Sequence, residues 1–273
     1  MPKATAATLH EFEVVTNEPV AQDTYRLVIE APGLARDIRA GQFMNLQVPG
    51  DASHILRIPL SFSRADAASG TVELVYAVVG EGTARLARMA RGARSSVVGP
   101  SGAGWRLPEG PGRVLLVAGG VGLPPVMAAA RMLAEAGVGF DAVVGARDAA
   151  HLYERGVDEL RRLTPEELCD CARRVRVTTD DGSAGTQGFV TQVAGPLLAE
   201  RAYACVMACG PAPMLRGVAE LAKDAGVACQ VSLERLMGCG FGACSCCNVE
   251  LAAGGYALCC QDGPVFDARE VVL

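Results

Sequence analysis

The sequence predicts an α/β plus β fold in three parts: an N-terminal antiparallel β-barrel, a Rossmann-like doubly wound parallel sheet, and a short C-terminal segment rich in cysteine. Three observations predict it. The N-terminal part breaks into short extended runs separated by Gly, Pro and Asp, with little helical periodicity between them. After a Gly/Pro-dense hinge, Gly99–Gly112, unbroken apolar strands alternate with helical runs. Beyond residue 228 the texture changes again, to glycine-spaced cysteines. The expected domains are 1–107, 108–228 and 229–273, and a chain of 273 residues has room for them.

In the barrel, His10–Thr16, Thr24–Ile29, Phe43–Val48, Leu60–Arg64 and Thr71–Val79 read as strands. One helix interrupts them, capped by Thr83 and stopping near Gly92. In the second part Arg113–Ala118 is an apolar strand running into "GGVGLPP". Helix Val126–Ala136 follows and closes at Gly137. Phe140–Ala146, Val175–Thr179 and Tyr203–Ala208 are further strands, and Met214–Ala225 is a helix ending at Gly226. No internal repeat or low-complexity linker is present.

Half the residues are apolar and a fifth are charged, which suits a packed core. The net charge is −5, and no clustered basic face suggests nucleic-acid binding. Arg173, Arg174 and Arg176 read as a solvated face. The N-terminus has no targeting pattern and no apolar run spans a membrane, so a cytoplasmic protein is expected. Thiols stay reduced there, which favours metal binding over disulfides for clustered cysteines.

Several stretches carry chemistry. Gly119, Gly120 and Gly122 lie between a buried strand and a helix opened by Pro124 or Pro125. Such a turn lets a diphosphate approach the backbone at the positive end of a helix. Its glycines are closer together than in the usual dinucleotide fingerprint. A second strand–helix turn, Cys209-Gly210-Pro211, sits where ligands bind at the edge of a parallel sheet, with Cys209 placed to touch a nicotinamide. In the barrel, Arg57, Pro59 and Ser61 alternate with Ile58 and Leu60, so the first three share a face suited to a flavin diphosphate. Val75, Tyr76 and Ala77 offer an aromatic flanked by strand backbone, for packing on a flavin or adenine. Gly82-Thr83 offers a small anion cradle. Four of the eleven cysteines crowd into "CGFGACSCC", and Cys259-Cys260 follow; disulfide, zinc and iron–sulfur are the three readings.

Taken in order, RIPLS, GEGT, GPSGAGW, AGGVGLPP, TTDDGSAGTQGFVT, ACGPAPML, SLERLMGCGFGAC and CCQDGPVFDAREVVL make the chain resemble the ferredoxin–NADP reductase superfamily. More narrowly, it resembles the electron-transfer subunits of B-type dihydroorotate dehydrogenases, over nearly its whole length. The resemblance implies FAD on the barrel, NAD on the Rossmann-like domain and a [2Fe–2S] cluster at the C-terminus. Cys239-x4-Cys244-x2-Cys247 with Cys260 beyond is the plant-type ferredoxin spacing, so these four are the expected ligands. A structural zinc site more often pairs two short knuckles. The implied activity carries electrons from an FMN-containing catalytic subunit, in an assembly of two of each chain, through the cluster and FAD to NAD⁺ during pyrimidine synthesis. Hydride transfer between nicotinamide and flavin needs rings held about 3–3.5 Å apart, not a protein base. No catalytic side chain is assigned, and His10, His54 and His151 lie outside every cysteine motif.

Some positions depart from the family pattern. Ile58 stands where a second Arg is common, Trp105 where Phe is more usual, and Cys246 where Gly is common. Cys246 and Cys259 are read as non-ligands, Cys169 and Cys171 as incidental. No Arg cluster near "GARDAAH" marks a 2′-phosphate site, which leans toward NAD over NADP. The alternative is the similar small subunit of NADH-dependent ferredoxin:NADP oxidoreductase (sulfide dehydrogenase), or a related hydrogenase or sulfite-reductase subunit. Cys239 and the "GPVFDAREVV" ending favour the first reading. A redox-sensing or zinc-binding module without turnover is the reading from a different class.

Overall fold

The computed structural model describes residues 7–48, 55–164, 174–200 and 202–273. His54, Cys169, Cys171 and Arg173 lie outside the described residues. The chain forms two compact units, Met1–Gly104 with Glu234–Val265, and Trp105–Leu233 with Phe266–Leu273.

The first unit is built on strands β1 (Thr8–Ala21), β2 (Thr24–Glu30), β3 (Phe43–Leu46), β4 (Ile58–Ser61), β5 (Arg64–Asp66), β6 (Thr71–Ala77) and β7 (Arg94–Ser101). Among the described residues these form one seven-stranded sheet in the order β4-β3-β7-β1-β2-β6-β5. Every pairing is antiparallel, as the sequence predicts. β1 is long enough to pair with β7 through its first half and β2 through its second. Register shifts at Val14/Thr16 and Pro19/Ala21 bend it, and the sheet curls into a half-barrel whose edges are β4 and β5. Phe12, Val14, Leu27, Ile29, Met44, Leu46, Leu74 and Val97 are buried as its core.

The sequence predicts neither helix α1 (Pro32–Asp37) nor strand β7, because a short helix and an alternating Ser/Val run carry weak periodicity. Leu60–Arg64 reads as one strand but is divided between β4 and β5. β4 pairs with β3 and β5 with β6, so the chain changes partner at Phe62-Ser63. Helix α2 (Glu81–Ala87) starts two residues before the predicted cap. Gly80 supplies the extended residue ahead of it, and Thr83 sits inside the first turn with Oγ1 accepting from the N–H groups of Val79 and Gly80 at 3.0 and 3.2 Å.

The second unit holds β8 (Arg113–Gly119), α3 (Leu123–Glu135), β9 (Phe140–Ala146), α4 (Glu154–Leu163), β10 (Val175–Thr179), β11 (Thr186–Gln187), α5 (Val190–Glu200), β12 (Tyr203–Cys209), α6 (Ala212–Asp224) and β13 (Ala228–Ser232). Its sheet order is β11-β10-β9-β8-β12-β13, with β16 (Val265–Asp267) last. The pairs from β11 through β13 are parallel. The chain winds outward from β8 to β11, then returns to β12 on the other side of β8, so the topological switch lies between β8 and β12. Val114–Ala118 are fully buried, the signature of a strand covered on both faces. α4, α5 and β13 complete the alternation beyond what the sequence reading assigned.

Candidate functional site

The two glycine turns of the second unit lie at the C-terminal ends of adjacent strands, with Ala118 of β8 paired to Cys209 of β12. They press on each other. A side chain at Gly122 would put its Cβ 2.1 Å from the carbonyl oxygen of Cys209. One at Gly119 would lie 2.6 Å from Met214 Sδ, and one at Gly210 2.6 Å from Met214 Cε. Gly120, with φ +53, points its missing side chain into open space. These glycines thus bring two turns, far apart in sequence, into contact at the switch point. Beside them is a cavity of about 530 Å³, lined by Gly119, Gly120, Arg147, Thr178, Asp180, Phe189, Pro211 and Met214, among others. Gly119 and Gly120 open into it, whereas Gly122 and Cys209 stand behind it, Cys209 with 4% exposure.

The sequence reading missed Arg147, Thr178, Asp180, Phe189 and Met214 as cavity residues. They fall in "GARDAAH", "TTDDGSAGTQGFVT" and "GPAPML", which is the signal that could have found them. Phe189 is 64% exposed, an aromatic plane left open beside the cavity. Trp105 is buried, its indole N–H donating to the Pro125 carbonyl at 3.1 Å.

In the first unit, Arg57 and the edge strand it leads into, Ile58, Pro59, Leu60 and Ser61, are all half-buried. Arg57 donates from Nη1 to the Ser96 carbonyl and from Nη2 to Ser96 Oγ, each at 2.9 Å. Partial burial lowers its pKa from the ordinary guanidinium value. Gly82 lies against this segment: a Cβ there would be 3.2 Å from Ile58 Cδ1. The fold therefore gathers Arg57–Ser61 with Gly82-Thr83. The Thr83 hydroxyl is engaged locally, also donating to the Gly80 carbonyl at 3.0 Å. Val75 and Tyr76 are buried and Ala77 is half-buried. The Tyr76 ring stacks on Tyr25 with centroids 6.1 Å apart, and its hydroxyl donates to Asn17 Oδ1 at 3.3 Å. Burial pushes this phenol's pKa up.

The cysteine loop also belongs to the first unit. Gly240 and Gly242 take φ of +78° and +87°, which favour glycine. Gly240 lies on Asn45 of β3, and Gly242 lies on Gln261. The segment then runs through the hairpin β14 (Asn248–Glu250) and β15 (Tyr256–Leu258) and back to the sheet, where Ala103 bridges to Pro264.

The cysteines stand two by two: the Cys239 N–H donates to Cys244 Sγ at 3.4 Å, and the Cys260 N–H to Cys247 Sγ at 3.4 Å. Among the described residues no three His, Cys, Asp or Glu side chains gather as the ligands of one ion would. Backbone amides point at the sulfurs, with Ala243 N–H 3.2 Å from Cys239 Sγ and Cys260 N–H 3.4 Å from Cys247 Sγ. Burial alone would raise the Cys239 pKa, but the N–H groups of Phe241, Cys244 and Ala243 and the Cys244 thiol bring it to about 7. Burial, the Cys247 thiol and its charge push Cys260 up to about 12. Cys246 is exposed, and Cys259 is fully buried with its N–H donating to the Cys247 carbonyl at 2.9 Å. His10 bonds the Gly99 carbonyl at 3.1 Å and His151 bonds Asp148 at 2.6 Å, and neither forms part of the loop.

Known proteins match this arrangement. A family model described as the iron–sulfur cluster binding domain of dihydroorotate dehydrogenase B matches residues 234–272, and one described as an oxidoreductase NAD-binding domain matches 116–220. The dihydroorotate dehydrogenase B (NAD(+)) electron transfer subunit of Bacillus caldolyticus is 38% identical over 264 residues, covering 95% of this chain and 97% of the relative. That of Streptococcus pneumoniae is 36% identical over 271 residues, covering 97% and 99%. Among solved structures, one from work on the NADH-dependent reduced ferredoxin-NADP oxidoreductase superposes with a TM-score of 0.81 at 32% identity, covering 96% of this chain and 89% of that one. The ferredoxin reductase in carbazole 1,9a-dioxygenase shares the fold at 22% identity and TM-score 0.62, covering 81% and 67%. By identity and near-complete coverage, the chain belongs to the family of dihydroorotate dehydrogenase B electron transfer subunits.

Proposed function

We propose that this chain carries electrons from a dihydroorotate-oxidising catalytic subunit, through a [2Fe–2S] cluster and FAD, to NAD⁺. The observation that carries the reading is the grouping of Cys239 with Cys244 and of Cys247 with Cys260, in the compact unit that also holds Arg57–Ser61. Two thiol pairs suit the two irons of a [2Fe–2S] cluster better than one tetrahedral ion. A bound flavin supplies exchange between one-electron and two-electron carriers.

The chain's own residues bind and orient. Cys239, Cys244, Cys247 and Cys260 hold the cluster, and Cys246 and Cys259 do not. Arg57, Pro59, Ser61 and the Gly82-Thr83 turn receive the FAD. The Gly119–Gly122 and Cys209-Gly210 turns admit the dinucleotide diphosphate, with Phe189 as a platform for its base. No side chain is assigned a proton to move, since the hydride passes between cofactors. Leu236, Phe241 and Tyr256 are exposed on the cysteine segment and offer the catalytic subunit an apolar landing. That subunit would carry FMN, in an assembly of two of each chain, in the cytoplasm. Among the described residues no helix is long and apolar enough to cross a membrane.

The test is an anaerobic absorption spectrum of the purified protein before and after NADH, with iron, sulfide and FAD quantified. The expected result is about two irons and two sulfides per FAD, with flavin and cluster bands bleaching on NADH. Flavin without iron, or zinc in the cysteine loop, overturns it. The similarity to the ferredoxin-NADP oxidoreductase structure supports a second reading, with ferredoxin as the electron partner. Reduction of the complex by dihydroorotate but not by ferredoxin decides between them.

A further inference from the structure

Asn45 is a buried amide on an apolar strand. Its neighbours on β3, Phe43, Met44 and Leu46, are all apolar and buried, and Asn45 itself is only 2% exposed. A buried carboxamide is costly unless it is used. The hydrogen bond from its Nδ2 to Ser101 Oγ is long, at 3.4 Å.

Its position is what sets it apart. Asn45 pairs directly with Pro59 of β4, and Phe43 pairs with Ser61. Residues directly opposite on neighbouring strands share a face, so Asn45 lies on the face of Pro59 and Ser61, opposite to Met44 and Leu46. Its backbone carbonyl oxygen, on the main chain rather than the side chain, is 3.5 Å from Arg57 Nη1. On the side-chain carboxamide rests the cysteine loop: a Cβ at Gly240 would fall 2.4 Å from Asn45 Nδ2 and 2.5 Å from Cγ and Oδ1. Gly240 directly follows Cys239, whose Sγ receives the Ala243 N–H. The carboxamide thus lies against Gly240, beside the first cysteine of the loop, on the face that the neighbouring strand β4 presents through Pro59 and Ser61.

We propose that Asn45 is a positioning residue that seats the cysteine loop against the flavin strand and thereby sets how fast electrons pass between cluster and flavin within this chain. The inference rests on the cofactor assignment above. Electron passage depends on spacing, and a wedge fixed by a buried strand holds spacing better than a loop alone.

The experiment compares wild type, Asn45→Ala and Asn45→Asp as holoproteins. Iron, sulfide and FAD are quantified first. Each protein is then mixed with NADH in an anaerobic stopped flow, following flavin and cluster bands separately, and its cluster is titrated for midpoint potential by electron paramagnetic resonance. In Asn45→Ala, flavin bleaching should keep the wild-type rate while cluster bleaching lags about tenfold, the scale expected for a small misplacement. Asn45→Asp keeps the shape and adds a negative charge beside the loop, so the cluster midpoint should fall at full iron content; it remains informative should the alanine variant lose its cluster. Unchanged lag and unchanged midpoint in loaded variants overturn the proposal. A wild type without iron overturns the cofactor assignment instead, and the proposal with it.

Discussion

Asp141 is 1% exposed in the second unit, with Arg113, Arg174 and Tyr203 among the partners that hold it. Arg113 Nη2 lies 3.2 Å away, Arg174 Nη1 3.1 Å, and the Tyr203 hydroxyl donates at 2.8 Å. Removing one member of such a group leaves uncompensated charge, at a typical cost of about 3–5 kcal/mol. Arg113 and Arg174 side chains retain 23% and 16% exposure, so the loss for Asp141→Ala should fall at the lower end of that range, about 3 kcal/mol. A urea midpoint that hardly moves would show that the arginines find water instead. Asp141 lies near the start of β9 and the cavity at the ends of the strands, so NADH affinity should be unaffected. Gly122→Ala is the converse. Its new methyl would meet the Cys209 carbonyl at 2.1 Å, forcing the two turns apart. Overpacking costs about 1–3 kcal/mol. If that strain falls on the bound geometry, the Kd for NADH should rise tenfold or more (about 1.4 kcal/mol per tenfold), with iron and FAD content unchanged. Equilibrium titration of NADH checks this.

At the scale of elements, the cysteine loop makes the sharpest prediction. In protein stripped of iron under reducing conditions, Cys239 should be alkylated with a midpoint near pH 7, because amide N–H groups stabilise its thiolate. Cys259 and Cys260 should resist until the pH approaches about 12, because burial disfavours theirs. Mass spectrometry after timed alkylation reads the order, and equal rates at pH 8 would mean the loop opens without metal. Cys246→Ser should keep a full complement of iron, whereas Cys247→Ser should lose it. This loop was legible in the sequence because C-x4-C-x2-C is a local spacing. So were β8, β9 and α6, whose apolar periodicity is contained within the element. What was not legible depends on partners distant in sequence. β7 has an alternating but Ser-rich pattern and acquires its identity by pairing with β1 and β3. The break at Phe62-Ser63 exists because β4 and β5 have different neighbours. Tyr76 read as an aromatic on offer; its strand partner Tyr25 and the Asn17 side chain take up the ring and the hydroxyl. Asn45 was invisible for the same reason, since its significance lies in Gly240, far along the chain.

For the molecule as a whole, the titrating groups set opposite limbs of a stability profile. Asp66, Asp148, Asp181 and Asp267 titrate below the ordinary carboxylate value in the native state. The N–H groups of Ser69 and Ala68 lower Asp66, the His151 ring lowers Asp148, the Ser183 hydroxyl lowers Asp181, and Arg269 lowers Asp267. Between the native and unfolded values the unfolded chain binds more protons, so stability rises with pH there. Equivalently, their contribution is present above the unfolded carboxylate pKa of about 4 and is lost as pH falls through the lower native values. The alkaline limb has the opposite sign. Burial pushes Cys229 on β13 up to about 12. An unfolded thiol releases its proton at about 8.5, so above that pH the native chain binds more protons and stability declines. Urea midpoints measured across pH should therefore form a plateau between about 4 and 8.5, with a limb falling on each side. Cys229→Ala separates the two causes. It should lower the plateau by removing a buried side chain, leave the acid limb in place, and make the alkaline limb shallower by one proton's share, with the buried Cys205 and Cys259 thiols and the Tyr76 phenol still contributing to it. An alkaline limb of unchanged slope in that variant would place its origin in other groups and leave Cys229 a packing residue alone.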